Sequence, residues 1–153
     1  MADLSFRAAT NNGDSSFTTN TISASLPTGE VVNDLSIIEF IAASIAPTAA
    51  PTHTTPTGYT LAGTATFTAT GGALNARVSL FYRLAPASPG AVTLTASANS
   101  AVSYIRHACD NPDVNALFGQ VTFGSWTGTT PTASSMTTTK VNAMLFMTVL
   151  QGT

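Results

Sequence analysis

Hydrophobic and polar residues alternate along much of the chain, and short clusters of turn-forming residues interrupt the alternation. The clearest case is residues 64–70, where Thr alternates strictly with Ala or Phe. A period of two is typical of a strand with one face in water. Residues 35–41 are instead almost continuously apolar, which predicts a central strand buried on both faces. No segment shows a convincing helical period.

These segments recur at intervals of about 8–12 residues, a spacing typical of β-sandwiches. The sequence predicts an all-β, single-domain antiparallel β-sandwich of jelly-roll type with about eight strands. The predicted strands cover residues 16–26, 35–41, 59–70, 74–84, 91–98, 101–108, 114–127 and 136–150. The expected core contains large apolar and aromatic residues from most of them: Ile22, Leu26, Leu35, Ile37, Phe40, Leu80, Tyr82, Leu94, Tyr104, Leu145 and Val149.

Turn-forming residues separate the strands. We expect a turn at residues 11–14, where Gly13 can adopt a positive φ, and a loop at residues 46–57, which contain three prolines. Residues 1–15 are interpreted as an N-terminal arm that docks onto a neighbouring subunit or a shell, or else as the first edge strand. Residues 16–153 then form the sandwich.

Composition adds a constraint on function, because only 8% of the residues are charged, against about 25% in an ordinary soluble domain. About one residue in six is Thr, well above ordinary usage. Mean hydropathy is +0.25, so we expect part of the surface to be covered in a homo-oligomer. A net charge of −2 gives no electrostatic reason to bind nucleic acid or an anionic membrane.

Cys109 is the single cysteine, so no intrachain disulfide can form. The N-terminus lacks an apolar signal-peptide core, which predicts synthesis in the cytosol without general secretion. The apolar stretch at residues 37–50 contains Glu39 and Pro47 and is too short to cross a bilayer.

The densest polar cluster is residues 106–113, which include His107 and Cys109. Residues two apart on a strand share a face, so this pair could contact a metal or form part of a nucleophilic site. A closed zinc site needs four ligands, however. Besides His107 and Cys109, the sequence offers only His53 and the nearby carboxylates to complete it. The favoured interpretation is a strand end with a buried Cys109, followed by an Asp-Asn-Pro turn.

The remaining polar candidates also favour structural roles. His53 is expected to be exposed in its loop, and Glu30 and Asp34 flank a turn in which Asp bonds backbone amides. Arg77 and Arg83 are expected to share one face of a strand. There they could form an anion-binding strip or a contact with another subunit. We therefore predict a non-enzyme with no catalytic, cofactor-binding or metal-binding residues, and we assign no cofactor.

A set of strand and turn motifs resembles a known group of proteins. The motifs are Ser-Leu-Pro-x-Gly and Asn-Asp-Leu-x-Ile within 25–37, Pro-Thr-Gly-Tyr-Thr-Leu at 56–61, Leu-Phe-Tyr-Arg-Leu-Ala at 80–85, Val-Thr-Leu-Thr at 92–95, Tyr-Ile-Arg-His-Ala at 104–108 and Thr-Ala-Ser-Ser-Met-Thr-Thr-Thr at 132–139. This order is similar to jelly-roll modules of tailed-bacteriophage virion proteins, over roughly residues 16–150. Tyr59 replaces a usual Trp, and His107 replaces a usual Gly.

The resemblance implies a structural role as a capsid decoration (cement) protein, a head fibre or a tail-fibre module. Among these, the short chain favours decoration of the outer surface of a phage head, after assembly in the host cytoplasm. The implied partners are the major capsid protein and further copies of this chain, as a homotrimer. The alternative is a receptor- or glycan-binding module of a tail fibre or adhesin, with Tyr59, Trp126 or His53 forming a sugar platform.

Overall fold

The computed structural model describes residues 5–69 and 72–110. These residues are all-β, with 69% strand and no helix, as the alternating pattern predicts. The six strands, in chain order, are β1 (Ser5–Ala24), β2 (Leu35–Ile45), β3 (His53–Thr54), β4 (Thr60–Thr68), β5 (Leu74–Leu84) and β6 (Val92–Asp110). The predicted strands at 114–127 and 136–150 lie outside the described residues.

The strands form one antiparallel sheet in the order β1–β6–β2–β5–β4, with the short β3 paired to β6. Strand β2 lies at the centre, because it pairs with β5 along its whole length and with β6 from Leu35 to Ala43. Its first six residues are buried on both faces of the sheet. This confirms the central strand predicted from residues 35–41 and extends it to Ile45.

The two faces of β2 contribute to two hydrophobic clusters. The larger cluster lies on the face that carries Ile38 and Phe40, here called the inner face. The smaller one lies on the opposite face, around Leu35, Ile37 and Cys109. Most of the predicted core residues that the structure describes are buried or packed against these clusters: Ile22, Leu35, Ile37, Phe40, Leu80, Tyr82, Leu94 and Tyr104. Leu145 and Val149 lie outside the described residues.

Strands β1 and β6 form a long ribbon that folds back over the inner face. A straight strand of the 19 residues of β6 would be about 60 Å long. Arg106, near one end of β6, nevertheless donates from Nη1 to the carbonyl oxygen of Gly90, at 2.7 Å. The backbone N–H of Ser25 likewise donates to the Tyr104 hydroxyl, at 2.9 Å. Both contacts require the two ends of the ribbon to approach each other.

The turn predicted at residues 11–14 is wrong, because these residues belong to β1 and pair with β6. A Cβ placed on Gly13 would lie 3.1 Å from the Cβ of Ser103, so the glycine permits a close approach of the two strands. The turn chemistry occurs just afterwards, where Asp14 Oδ1 accepts the backbone N–H of Ser16 at 2.7 Å and the register of the ladder shifts.

Two further boundaries differ from the prediction. The predicted strands 91–98 and 101–108 are one continuous strand, β6, in which Ser100, between the two predicted segments, pairs with Thr19 of β1. The loop at 46–57 contains the two-residue strand β3. Of the N-terminal segment 1–15, the structure describes residues 5–15, which lie in β1 at one end of the sheet order.

Candidate functional site

The most distinctive surface of the described chain is the loop between β1 and β2, residues 25–34, here called the β1–β2 loop. Three large apolar side chains project from it into solvent: Leu26 is 39% exposed, Val31 47% and Val32 49%. The exposure of Leu26 contradicts its predicted place in the core. Pro27, the next residue, is buried instead, because the chain turns there.

Two successive turns give the β1–β2 loop a defined backbone. The carbonyl oxygen of Pro27 accepts the N–H of Glu30 at 3.2 Å, and that of Val31 accepts the N–H of Asp34 at 3.2 Å. Each turn contains a residue with positive φ: Gly29 at 87° and Asn33 at 67°, both of types that tolerate this region. Backbone hydrogen bonds with Ala85, the residue that follows β5, fasten the second turn to the sheet.

A buried ion pair anchors the first turn. Arg106 Nη2 lies 2.7 Å from Glu30 Oε1, and both side chains are 0% exposed. The same guanidinium donates to Ser36 Oγ at 3.2 Å and to the carbonyl oxygen of Gly90 at 2.7 Å. Since a buried charge is costly unless it is paired and hydrogen-bonded, this network fixes where Glu30 can lie.

A second charge pair anchors the other turn. The carboxylate of Asp34 is buried and accepts two hydrogen bonds from Arg7, from Nε at 2.8 Å and from Nη2 at 3.1 Å. The hydrogen bond to Asp34 raises the pKa of Arg7. Asp34 Oδ2 also accepts the backbone N–H of Val31 at 3.0 Å, which confirms the predicted bond from Asp to a backbone amide. The start of β1 is thereby tied to the loop.

The consequence is a loop whose charges point inward and whose apolar side chains point outward. Glu30 and Asp34 are its two charged residues, and each is buried in an ion pair. Such an arrangement has no evident acid–base or nucleophilic chemistry. It suits a rigid contact with another apolar surface, because little conformational entropy remains to be lost on binding.

The pair His107 and Cys109 lies on one strand face, as the spacing predicts, but in a structural setting. Cys109 is fully buried. Burial, reinforced by the nearby negative charge of Asp34, raises its pKa to about 11, so the thiol is protonated at neutral pH and is a poor nucleophile. Burial also lowers the pKa of His107, whose ring meets that of Phe6 edge to face at 6.3 Å.

His53 is not the exposed loop residue that the sequence suggested. It lies in β3 over the inner face, where its ring centroid is 4.3 Å from that of Phe40 and its Nδ1 is 2.8 Å from Ser79 Oγ. Burial, with a smaller effect from the positive charge of Arg77, lowers its pKa to about 4. The side chain is therefore neutral at physiological pH.

The predicted sugar platform is not formed by its described members. Tyr59 is 7% exposed, its hydroxyl is 3.1 Å from Ser36 Oγ, and the guanidinium of Arg83 covers its ring at 4.4 Å from the centroid. Burial raises the pKa of the Tyr59 hydroxyl. With His53 also packed inward and Trp126 outside the described residues, no aromatic platform is seen at these positions.

Arg77 and Arg83 do share one face of β5, opposite Ala42 and Ser36 of β2, which confirms their predicted orientation. They do not form an anion-binding strip, because each contacts the protein: Arg77 Nε donates to the carbonyl oxygen of Pro51 at 2.8 Å, and Arg83 stacks on Tyr59.

No protein-family model, curated protein or solved structure matches this chain. Within residues 5–69 and 72–110, no group of three or more His, Cys, Asp or Glu side chains could hold a metal ion. The same residues include no helix that is long and apolar enough to cross a membrane.

Proposed function

We propose that this chain is a structural virion protein, a decoration (cement) protein that binds the outer surface of a phage head and stiffens it. The observation that carries the proposal is the β1–β2 loop, which presents Leu26, Val31 and Val32 on a backbone held by two ion pairs. Each contact of this kind is modest in area, but the many copies on a symmetric shell multiply its effect.

The proposal also includes the type of β-sandwich and the oligomeric state that the resemblance implies. The fold would be a jelly-roll sandwich, supported by the way the β1–β6 ribbon folds back over the inner face of the sheet. The assembly would be a homotrimer on the major capsid protein. The low charge of the chain supports such packing, because few ionic groups would have to lose their water.

The receptor- or glycan-binding alternative gains nothing from the described residues. Two of the three residues that it relied on, Tyr59 and His53, are packed against the body of the protein, and neither ring is presented to a ligand. We therefore propose the decoration function alone.

The test uses shells assembled without this protein and the purified full chain added back. The double variant Val31→Asp/Val32→Asp should bind far less, since a charge in an apolar contact must be desolvated. The matched control Thr93→Asp/Ala98→Asp places the same two charges on exposed residues of β6 and should bind as the unmodified chain does. Binding should also persist at about 1 M salt, where surface charge pairs are screened.

The copy number in purified virions provides an independent check. Gel densitometry, with the major capsid protein as the internal standard, should give on the order of hundreds of copies of this chain per particle, as expected of a protein that decorates a symmetric shell. A count in the tens, as for tail components, or equal binding of the Asp variants and the control, contradicts the proposal.

A further inference from the structure

Strand β4 forms one end of the described sheet. It pairs with β5 from Thr60 to Thr68, and no other described strand pairs with it. Four of its Thr side chains are exposed, and so is Leu61. Within the described part of the chain, the backbone N–H and C=O groups on the far side of β4 therefore have no strand partner, which makes this edge a template for another strand.

This edge lacks the features that usually prevent pairing between proteins. No Asp, Glu, Lys or Arg occurs anywhere from Phe40 to Ala76, and no proline occurs within β4. The ladder with β5 has one irregularity, between Leu61 and Gly63, and then runs in register to Thr68. Charges, prolines and bulges are the common ways of protecting an edge, and β4 has little of this protection.

The opposite edge of the described sheet, β1, differs from β4 in its charge and in the regularity of its ladder. Strand β1 carries Arg7 and Asp14, and its ladder with β6 shifts register at three places. Such irregularities twist an edge and interrupt its row of free backbone groups. The two ends of the sheet are therefore not equivalent, and β4 is the one prepared for a partner strand.

We propose that β4 is an interaction edge that pairs antiparallel with β4 of a second copy of this chain, about a two-fold axis. Self-pairing brings each strand against itself, which is unfavourable when like charges meet. Here only uncharged Thr, Ala, Gly, Leu and Phe side chains meet. An antiparallel two-fold contact also repeats the antiparallel pairing of every strand pair in the described sheet. A trimer held by another surface would be joined in pairs through this edge.

The first test measures the association of the full chain by sedimentation over a range of concentrations. Thr66→Glu places two like charges at the edge contact and should weaken self-association at least about tenfold. Thr66 lies opposite Arg77, so the new carboxylate is tolerated within its own subunit. The control Thr93→Glu adds the same charge to an exposed residue of β6 and should leave association unchanged. Far-UV circular dichroism verifies that both variants fold.

The second test locates the contact. Thr66→Cys should be joined to a second copy by a flexible bis-maleimide, whereas Thr93→Cys should not. The unmodified chain is the background control, because its one thiol, Cys109, is buried. A wild-type chain that sediments as a monomer at every concentration, or equal association of the two Glu variants, overturns the proposal. In that case the edge takes another occupant, a segment of the same chain or a different protein. None of these results depends on shell binding, so they leave the proposed function to its own test.

Discussion

At the residue scale, the protein uses much of its small number of charges inside. The chain has five Lys and Arg and seven Asp and Glu. Arg106, Glu30 and Asp34 are among its buried side chains. The sequence identified Glu30 and Asp34 as structural, but it did not reveal that Arg106, 76 positions from Glu30, was the partner.

The ion pair between Arg106 and Glu30 should contribute strongly to stability. Replacing Arg106 by Met leaves the Glu30 carboxylate buried without its partner, so we expect a loss of about 3–5 kcal/mol in the free energy of unfolding. Urea denaturation followed by fluorescence measures this loss. The double variant Arg106→Met/Glu30→Leu should lose less than the sum of the two single variants, because no buried charge is then left alone. Additive losses would mean that the two charges do not interact.

The buried His53 should make stability depend on pH. Its pKa is lowered from 6.5 to about 4 in the folded protein, so the unfolded chain binds a proton first as the pH falls. The contribution is present above the unfolded pKa and declines from about pH 6.5 towards pH 4. His53→Asn retains a polar partner for Ser79 but does not titrate, and it should flatten this part of the curve of unfolding free energy against pH. An unchanged curve would show that His53 is not the titrating group.

His107 is the necessary comparison for that experiment. Burial lowers its pKa as well, so it acts in the same direction as His53. The variants His53→Asn and His107→Asn, measured separately and together, show whether one ring or both cause the dependence of the unfolding free energy on pH.

At the element scale, the sequence located the neighbouring strands β2, β5 and β4 and failed along the β1–β6 ribbon. The bounds of β5 are those predicted, and β2 and β4 were located from their patterns. The local residues Asn11, Asn12 and Gly13 have turn chemistry, yet pairing with β6 keeps them extended. Hydrogen bonds to a distant strand are absent from any local pattern, and here they override turn propensity.

Gly13 gives a test of that override. A side chain at this position meets the Cβ of Ser103 and the carbonyl oxygen of Val102 at 3.1 and 3.3 Å. Gly13→Val should therefore push β1 away from β6 and lower the free energy of unfolding by about 1–3 kcal/mol. Gly90→Val is the control, since nothing lies within 4 Å of a Cβ at Gly90. Equal effects of the two substitutions on chemical denaturation would show that crowding at Gly13 is not the cause.

At the scale of the whole molecule, the alternating pattern predicted the all-β class but not the apolar projection of the β1–β2 loop. The low charge pointed to a protein that packs against others. The apolar projection itself was missed, because Leu26 ends an alternating segment and was placed in the core. Its exposure depends on Gly29 and Asn33, whose positive φ values turn the chain, and on ion pairs that join residues far apart in sequence. These features require the tertiary structure.

The β1–β6 ladder also determines when in synthesis the sheet can be completed. Ser5 pairs with Asp110, and Ala24 with Val92, so the first strand to leave the ribosome is bonded to the last of the described strands. On the order of a hundred residues must be translated, at about 5–20 residues per second, before this ladder can close. Until then β1, in which only Arg7 and Asp14 are charged, has no β6 with which to pair. The ladder therefore closes late in synthesis, and we expect the yield of folded protein to depend on chaperones that shield β1 during that interval.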